Sequence, residues 1–108
     1  TGPEIFREAE DRHAFARLSG RVKHTRYGAD CYAYGLLALG CVDLVCEAGL
    51  KVYDYAALMP VIRGAGGIIS DWSGEPPVLA ARGTTGRILA AGDGALFAAA
   101  QEALAKPF

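Results

Sequence analysis

Residues 42–47 alternate cleanly between two sides of an extended chain. The two sides are Val42, Leu44 and Cys46, and Asp43, Val45 and Glu47. An alternation of period two predicts a β-strand. An apolar segment with helical spacing precedes this strand, and a second helical segment follows it. The centre of the chain therefore has the order helix, strand, helix, which is typical of a sheet with helices packed against it.

The rest of the sequence continues this alternation. Helices are predicted over residues 4–18, 30–40, 54–63 and 94–106, and strands over residues 22–26, 42–47, 68–72 and 87–91. Pro60 lies inside the third helix and is expected to kink or shorten it, because proline cannot donate a helical hydrogen bond. Residues 73–77 are a predicted turn and residues 78–85 a loop or weak strand. The prediction is an α/β fold, a layered sheet flanked by helices.

The second helix is predicted to be buried on several sides. Tyr32, Gly35, Leu36 and Leu39 recur at helical spacing, and the other faces of this helix are apolar as well. A helix that is apolar all round is typical of a protein interior. Gly40 is the natural end of this helix.

The composition excludes several classes of protein. The 108 residues are 52% hydrophobic and 21% charged, as expected for one globular domain or part of one. A formal net charge of -1 argues against a generic nucleic-acid or anionic-membrane surface. The longest nearly apolar run, residues 31–42, is shorter than the roughly 20 residues that a membrane span requires. Cys31, Cys41 and Cys46 lack metal-binding spacing, so we expect buried free thiols in a reducing cytoplasm.

Asp54 is the best candidate for a functional side chain. It follows a predicted strand that ends at Glu47, and ligands in open α/β sheets bind outside the carboxyl ends of strands. A carboxylate at a helix N-terminus is stabilised in its charged form, and its oxygens suit a hard cation such as Mg²⁺. Asp54 can equally be a simple helix cap. Glu47 can face the same cleft, or can be a solvated strand end.

Arg26 and Asp30 flank the predicted turn at Gly28. An arginine at a strand end can hold a phosphate or carboxylate through two hydrogen bonds, although a lone arginine is more often a surface charge. Asp30 can bind an amine or cap the helix that it opens, and capping is the commoner role. The glycines of residues 64–67 are not followed by Lys and Ser or Thr, which excludes a P-loop.

Two motifs resemble the inositol monophosphatase family of Mg²⁺-dependent sugar phosphatases. The first comprises Asp54-Tyr55-Ala56-Ala57, then Val61-Ile62 and Gly64-Ala65-Gly66-Gly67, with Glu47, Gly49 and Leu50 upstream and Tyr53 where Trp is more usual. The second resembles the family's histidinol-phosphatase branch, which carries Arg-Tyr-Gly-Gly-Asp-Cys-Tyr. Here it is Thr25-Arg26-Tyr27-Gly28-Ala29-Asp30-Cys31-Tyr32, with Ala29 in place of one glycine. The resemblance covers nearly the whole chain.

The resemblance implies a role for each candidate residue. Asp54 is expected to be a ligand of Mg²⁺, the implied cofactor, and also to touch the substrate. Arg26, Asp30 and Glu47 are expected to contact the non-phosphate end of the substrate. The family's other metal carboxylates, and its Thr or Glu that helps to activate water, belong to an N-terminal half that this sequence does not contain. No further catalytic residue is therefore expected in residues 1–108.

The implied function is Mg²⁺-dependent hydrolysis of histidinol phosphate to histidinol in histidine biosynthesis. An acidic set of side chains suits histidinol, whose amine and imidazole can be cationic, better than an uncharged polyol. An inositol phosphate or another sugar phosphate is the alternative substrate. Residues 1–108 are expected to form the C-terminal α/β portion of a cytoplasmic phosphatase, inactive when alone.

The expected partner of this chain is a small phosphorylated substrate, with no nucleic acid and no membrane. The chain is also expected to form a homodimer or to associate with the missing N-terminal half. An alternative of another class is a non-catalytic structural or association role, because apolar surface left exposed would favour association.

Overall fold

Three strands form an antiparallel sheet in the computed structural model, which describes residues 3–77 and 86–105. The strands are β1 (Leu44–Glu47), β2 (Ile68–Ser70) and β3 (Ile88–Ala91). The α-helices are α1 (Ala9–Ser19), α2 (Cys31–Ala38), α3 (Val52–Tyr55), α4 (Leu58–Gly64) and α5 (Gly94–Ala105), and a 3-10 helix covers Pro3–Ile5. The predicted α/β class is confirmed. The loop or weak strand predicted over residues 78–85 and the helix end at Lys106 lie outside the described residues.

The central strand of the sheet is β3, in the order β1-β3-β2. Ile88 of β3 pairs with Glu47 of β1, and Leu89 pairs with Ser70 of β2. Because β1 and β2 both run antiparallel to β3, their carboxyl ends lie at the same end of the sheet. Glu47 therefore stands at this end, beside the start of β3.

Two apolar clusters cover the two faces of the sheet. The cluster on the α2 and α4 face comprises Tyr34, Leu37, Val45, Tyr55, Met59, Ile62, Ile69, Ile88 and Ala90. The cluster on the α1 and α5 face comprises Ala14, Leu18, Leu89, Ala91, Phe97, Ala100, Ala103 and Leu104. Successive residues of β3 alternate between the two clusters, as the pleat of a strand requires. The predicted layers, with helices on a sheet, are therefore present.

The first predicted helix is divided into two pieces. The 3-10 helix Pro3–Ile5 and the longer α1 are separated by a break at Phe6, which is only 2% exposed. The Phe6 ring stacks on Phe15 with the ring centroids 4.3 Å apart, and Arg12 donates a hydrogen bond to the Phe6 carbonyl. Burial of this aromatic ring outweighs the helical pattern of the surrounding sequence.

The predicted strand over residues 22–26 is wrong, because the segment has no regular secondary structure. A strand needs a neighbour for its backbone hydrogen bonds, and β1 and β2 each pair only with β3 within the described part of the chain. The segment is instead a loop, in which the hydroxyls of Ser19 and Thr25 lie 2.9 Å apart and share a hydrogen bond. Arg26 therefore lies on a loop and not at the end of a strand.

The second helix, α2, occupies the predicted position but is not buried on several sides. Tyr34 and Leu37 are buried against the sheet, whereas Tyr32 and Leu39 are 68% and 78% exposed. The sequence of α2 is apolar on every face, so its pattern could not identify the face that packs. Tyr32 and Leu39 both belong to the set of residues whose helical spacing had predicted a buried face.

The predicted helix over residues 54–63 is two helices, α3 and α4. Pro60 is in the first turn of α4, where its missing N–H leaves no helical hydrogen bond unmade. The predicted helix is thus divided at residues 56–57, ahead of Pro60, which itself lies within α4. The turn from α4 into β2 requires glycine twice: Gly66 has φ 88°, and a Cβ on Gly67 would lie 2.9 Å from the Ala91 carbonyl oxygen.

The expectation of three buried thiols is wrong for two of them. Cys31 and Cys41 are exposed, Cys46 is half-buried, and all three thiols are free. The Cys46 side chain packs against the α1 and α5 cluster, and burial raises the pKa of its thiol well above the ordinary value. Within residues 3–77 and 86–105, no helix is both long enough and apolar enough to cross a membrane.

A buried ion pair joins α1 to the start of β3. Asp11 is 4% exposed, and its Oδ1 lies 2.7 Å from Nη2 of Arg87. The same guanidinium meets the exposed Glu10 at 2.8 Å and lies over the Trp72 ring, 5.6 Å from the ring centroid. The hydrogen bond with Asp11 is the largest cause of a raised pKa of Arg87. Of the two carboxylate partners of Arg87, Asp11 is therefore the one whose removal should lower the stability of the fold.

We expect Asp11→Asn to lower the free energy of unfolding by about 2 kcal/mol, because it removes the buried charge that faces Arg87. This figure lies below the cost for a fully buried pair, since Arg87 is 26% exposed. The matched control is Glu10→Gln, whose carboxylate is 78% exposed and should cost less than about 0.5 kcal/mol. Urea unfolding of the two variants measures the difference. Equal losses would show that burial of Asp11 is not what makes its ion pair stabilising.

Candidate functional site

Three carboxylates lie near one another at the carboxyl end of β1, on the face covered by α2 and α4. Glu47 is the last residue of β1, Asp30 directly precedes α2, and Asp54 lies in α3. The negative charges of Asp30 and Asp54 both act on the Glu47 carboxyl. The structure therefore brings together three of the four residues that the sequence analysis selected.

Glu47 is the most enclosed of these carboxylates. It is half-buried, and its Oε1 accepts a hydrogen bond of 2.7 Å from the hydroxyl of Tyr34. Burial raises the pKa of the Glu47 carboxyl, the Tyr34 hydrogen bond opposes this rise, and the charges of Asp30 and Asp54 add to it. A positive group entering this end of the sheet would offset the unfavourable charges that Asp30 and Asp54 direct at Glu47. The solvated-strand-end interpretation of Glu47 does not describe this arrangement.

Asp54 combines exposure with a capping hydrogen bond. Its Oδ2 accepts a 2.8 Å hydrogen bond from the backbone N–H of Lys51, the residue that caps α3. Asp54 thus caps its helix from within the first turn and not from the capping position itself. A carboxylate has two oxygens with several lone pairs, so this hydrogen bond leaves capacity for a cation or a substrate group.

Asp30 adopts an unusual backbone conformation. Its φ is 48° and its ψ is -132°, and it is the only residue other than glycine with positive φ in the described part of the chain. Such a conformation costs about 1–3 kcal/mol and is common at functional sites. The Asp30 side chain makes no capping hydrogen bond to α2, so the capping role does not account for it. Gly28, at φ 91°, completes the turn that presents this exposed carboxylate.

Arg26 is not joined to the three carboxylates. Its Nη1 donates a 3.2 Å hydrogen bond to the carbonyl of its neighbour Thr25, and its side chain is exposed. Among the described residues, it forms no ion pair with Asp30, Glu47 or Asp54. Arg26 is four residues before Asp30 in the chain, but no contact joins its side chain to the three carboxylates within the described residues.

The Asp54 carboxylate is the kind of oxygen ligand that Mg²⁺ prefers. Across residues 3–77 and 86–105, however, no three His, Cys, Asp or Glu side chains are arranged to hold a metal ion. Mg²⁺ in phosphate chemistry is held by one or two carboxylates together with waters and substrate oxygens. Asp54 therefore fits as one ligand of a Mg²⁺ ion, and the described residues do not complete the site.

An open groove of about 360 Å³ lies on the other face of the sheet, beside Trp72, Arg87 and Gln101. Among the described residues that line the groove, Arg87 is the only cation, and it is already paired with Asp11 and Glu10. A phosphate would have to displace these carboxylates. This groove is therefore a poor phosphate site, and the carboxylates beside β1 are the better candidate.

The fold and the acidic end of the sheet define an α/β protein with a candidate ligand site at the end of a strand. The sequence model of the inositol monophosphatase family matches residues 3–106 of this chain. The chain therefore belongs to the inositol monophosphatase family, which confirms the resemblance found in the sequence.

Two relatives in sequence have phosphatase names. The bifunctional phosphatase IMPL2, chloroplastic, of Arabidopsis thaliana is 47% identical over 108 residues, which cover 96% of this chain and 31% of that protein. The histidinol-phosphatase of Mycobacterium tuberculosis is 38% identical over 63 residues, which cover 58% of this chain and 24% of that protein. This chain thus spans less than a third of the length of either relative.

Solved structures show the same fold. An inositol monophosphatase from Zymomonas mobilis superposes with a TM-score of 0.88 at 44% identity, over 96% of this chain and 40% of that one. A staphylococcal IMPase-II superposes with a TM-score of 0.71 at 18% identity, over 96% of this chain and 42% of that one, which shows the fold alone. The α2-β1-α3 arrangement described above therefore belongs to a known architecture.

Tyr34 is the residue at this site that the sequence analysis missed. It lies on a helix whose other residues are mostly small or aliphatic, so its hydroxyl had no predicted partner. The spacing of four residues from Asp30 gave no usable signal, because Asp30 precedes α2 in a non-helical conformation. Only the packing of α2 on β1 brings its hydroxyl to Glu47.

Proposed function

We propose that this chain supplies the C-terminal part of a Mg²⁺-dependent phosphatase that hydrolyses histidinol phosphate to histidinol. The observation that carries the proposal is the group of three carboxylates, Asp30, Glu47 and Asp54, at one end of the sheet. Asp30 stands there at φ 48° without a capping hydrogen bond, which supports a role in binding. The 38% identity with a histidinol-phosphatase over part of the chain supports the same substrate.

The charge of the substrate is the reason for proposing histidinol phosphate and not inositol phosphate. Histidinol carries an amine and an imidazole, both of which can be cationic, whereas inositol has only uncharged hydroxyls. The charges of Asp30 and Asp54 act unfavourably on the half-buried Glu47 carboxylate, and a positive group near Glu47 would relieve this repulsion. A neutral polyol would leave it in place. Electrostatic complementarity of this kind gives specificity as well as faster association.

Each residue has a defined part in the proposed reaction. Asp54 would hold Mg²⁺, which when bound supplies charge neutralisation at the phosphate and activation of water. Asp30 and Glu47 would bind and orient the cationic end of the substrate. Arg26, on the loop before Asp30, would contact the non-phosphate end of the substrate. Because such contacts would hold the substrate in one orientation, the attack of water on phosphorus would become effectively intramolecular.

An inositol phosphate is the second candidate substrate. The observation in its favour is the 44% identity, over nearly the whole chain, with a protein described as an inositol monophosphatase from Zymomonas mobilis. The bifunctional phosphatase of Arabidopsis thaliana is also similar over nearly the whole chain. Both candidates share the same phosphate chemistry and differ only in the end of the substrate that meets Asp30 and Glu47.

The full polypeptide that contains this chain should turn over histidinol phosphate with a kcat/KM at least about tenfold higher than for inositol phosphate, a difference equivalent to one charge contact. Phosphate release with Mg²⁺ measures both reactions. A preference for inositol phosphate would refute the histidinol-phosphate assignment. Hydrolysis of neither substrate would instead favour a non-catalytic association role, for which exposed Tyr32, Leu39 and Tyr53 offer an apolar surface.

A further inference from the structure

We propose that Tyr34 is a positioning residue for substrate recognition: its buried hydroxyl holds one oxygen of Glu47 and leaves the other to the cationic end of the substrate. This proposal rests on the proposed function and adds to it the residue that orients the carboxylate. The hydroxyl of Tyr34 lies 2.7 Å from Oε1 of Glu47, the ideal length for an O–H···O⁻ hydrogen bond. The two residues come from different elements, α2 and β1.

The tyrosine is the fixed member of this pair. Tyr34 is 1% exposed and belongs to the cluster that contains Leu37, Val45 and Ile62. An aromatic side chain has two torsions and loses little freedom when it is packed, whereas glutamate has three torsions and a mobile end. The hydrogen bond to a tyrosine fixed in the core therefore restricts the conformations of the Glu47 side chain, which is only half-buried.

The hydrogen bond also favours the charged form of Glu47, against the effects of burial and of the neighbouring carboxylates. Burial and the nearby Asp30 and Asp54 carboxylates favour the protonated form of Glu47, and the hydroxyl of Tyr34 favours the ionised form. Tyr34 remains a donor, because burial and the Glu47 charge raise the pKa of its phenol far above the ordinary value. The neighbouring Cys46 thiol is neutral for the same reason of burial. A permanent donor thus faces a carboxylate that must be negative to bind a cation.

The test is Tyr34→Phe in the full polypeptide, assayed with histidinol phosphate and with p-nitrophenyl phosphate. We expect the KM for histidinol phosphate to rise about tenfold, which corresponds to one hydrogen bond to a charged group. Hydrolysis of p-nitrophenyl phosphate, which lacks a cationic end, should stay within about twofold of wild type, a difference too small to represent a lost hydrogen bond. Equal losses on the two substrates, or no loss on either, would overturn the proposal.

Two control variants on the same helix separate positioning from folding. Tyr32→Phe makes the same chemical change on an exposed side chain, 68% accessible, and should leave the KM for histidinol phosphate unchanged. Leu37→Ala removes a buried side chain of the same cluster and should lower thermal stability without raising the KM ratio between the two substrates. If Leu37→Ala changes the ratio as much as Tyr34→Phe does, the effect of Tyr34 is structural.

A double variant tests whether Tyr34 acts through Glu47. In a Glu47→Gln background, adding Tyr34→Phe should raise the KM no further, because the charged contact between Glu47 and the substrate, which Tyr34 is proposed to orient, is already lost. A further tenfold rise would mean that Tyr34 acts independently of Glu47 and would overturn the proposal.

A readout without substrate distinguishes this proposal from the proposed function. A wild-type enzyme that prefers inositol phosphate would refute the substrate assignment, but the link between Tyr34 and Glu47 would still be open to a direct test. In crystals of Tyr34→Phe, the Glu47 side chain should leave its wild-type position or take more than one orientation. A single unchanged orientation of Glu47 would overturn the positioning role.

Discussion

Asp54→Asn should reduce the Mg²⁺-dependent phosphatase activity of the full polypeptide by about a hundredfold or more while the fold persists. The change removes a negative charge from the proposed Mg²⁺ ligand, and a loss of about 3 kcal/mol in transition-state stabilisation corresponds to this factor. The helix should survive, because the amide oxygen of Asn can still accept the hydrogen bond that Oδ2 receives from the Lys51 N–H.

Activity at increasing Mg²⁺ and the thermal midpoint of unfolding together test this expectation. Partial recovery at high Mg²⁺ would identify weakened metal binding as the cause of the loss. The matched control is Glu102→Gln, which removes an exposed carboxylate from α5 and should leave activity unchanged. Near-normal activity of Asp54→Asn at saturating Mg²⁺ would show that Asp54 is a helix cap and not a metal ligand.

Arg26→Ala and Asp30→Asn should each lower kcat/KM for histidinol phosphate by about thirtyfold. Losing a charged contact to substrate costs about 2–5 kcal/mol, and about 2 kcal/mol corresponds to this factor. We take the lower end because both residues are exposed in this structure. Part of the binding energy from the non-reacting end of a substrate is expressed in the transition state, so kcat should fall together with affinity.

The ratio of kcat/KM for histidinol phosphate to that for p-nitrophenyl phosphate is the measurement, because the second substrate lacks the end that these residues would hold. Asn is used at position 30 because it tolerates the positive φ of Asp30 better than Ala does. Arg21→Ala and Asp43→Asn remove exposed charges and serve as controls. Equal losses on both substrates would assign Arg26 and Asp30 to the chemistry or the fold and would remove the main support for histidinol phosphate.

The elements that could be predicted are those whose signal is local. The period-two alternation located β1, and the glycines of residues 64–67 located the end of α4. The Asp93 side chain accepts a hydrogen bond from the Leu96 N–H and so caps the start of α5, a role that Asp commonly has just before a helix. Patterns of this kind depend on residues that are neighbours in the sequence, so they predict secondary structure without knowledge of the tertiary fold.

The same holds for the candidate site. The residue patterns and the motif resemblance selected Arg26, Asp30, Glu47 and Asp54, and the fold brings the three carboxylates, but not Arg26, to one end of the sheet. Asp30 directly precedes α2, Glu47 is the last residue of β1 and Asp54 lies in the first turn of α3, so each stands near the end of an element. The roles of these residues in metal and substrate binding remain predictions.

Contacts between distant segments decided the rest. Residues 22–26 alternate like a strand but found no partner strand among the described residues, and the helical pattern of residues 4–18 was interrupted because Phe6 is buried. The sequence of α2 is apolar all round, so only its packing against β1 determined that Tyr34 turns inward and Tyr32 outward. The Tyr34–Glu47 hydrogen bond follows from that choice of face. Backbone pairing, side-chain burial and helix orientation depend on surfaces far apart in the chain, and no local pattern encodes them.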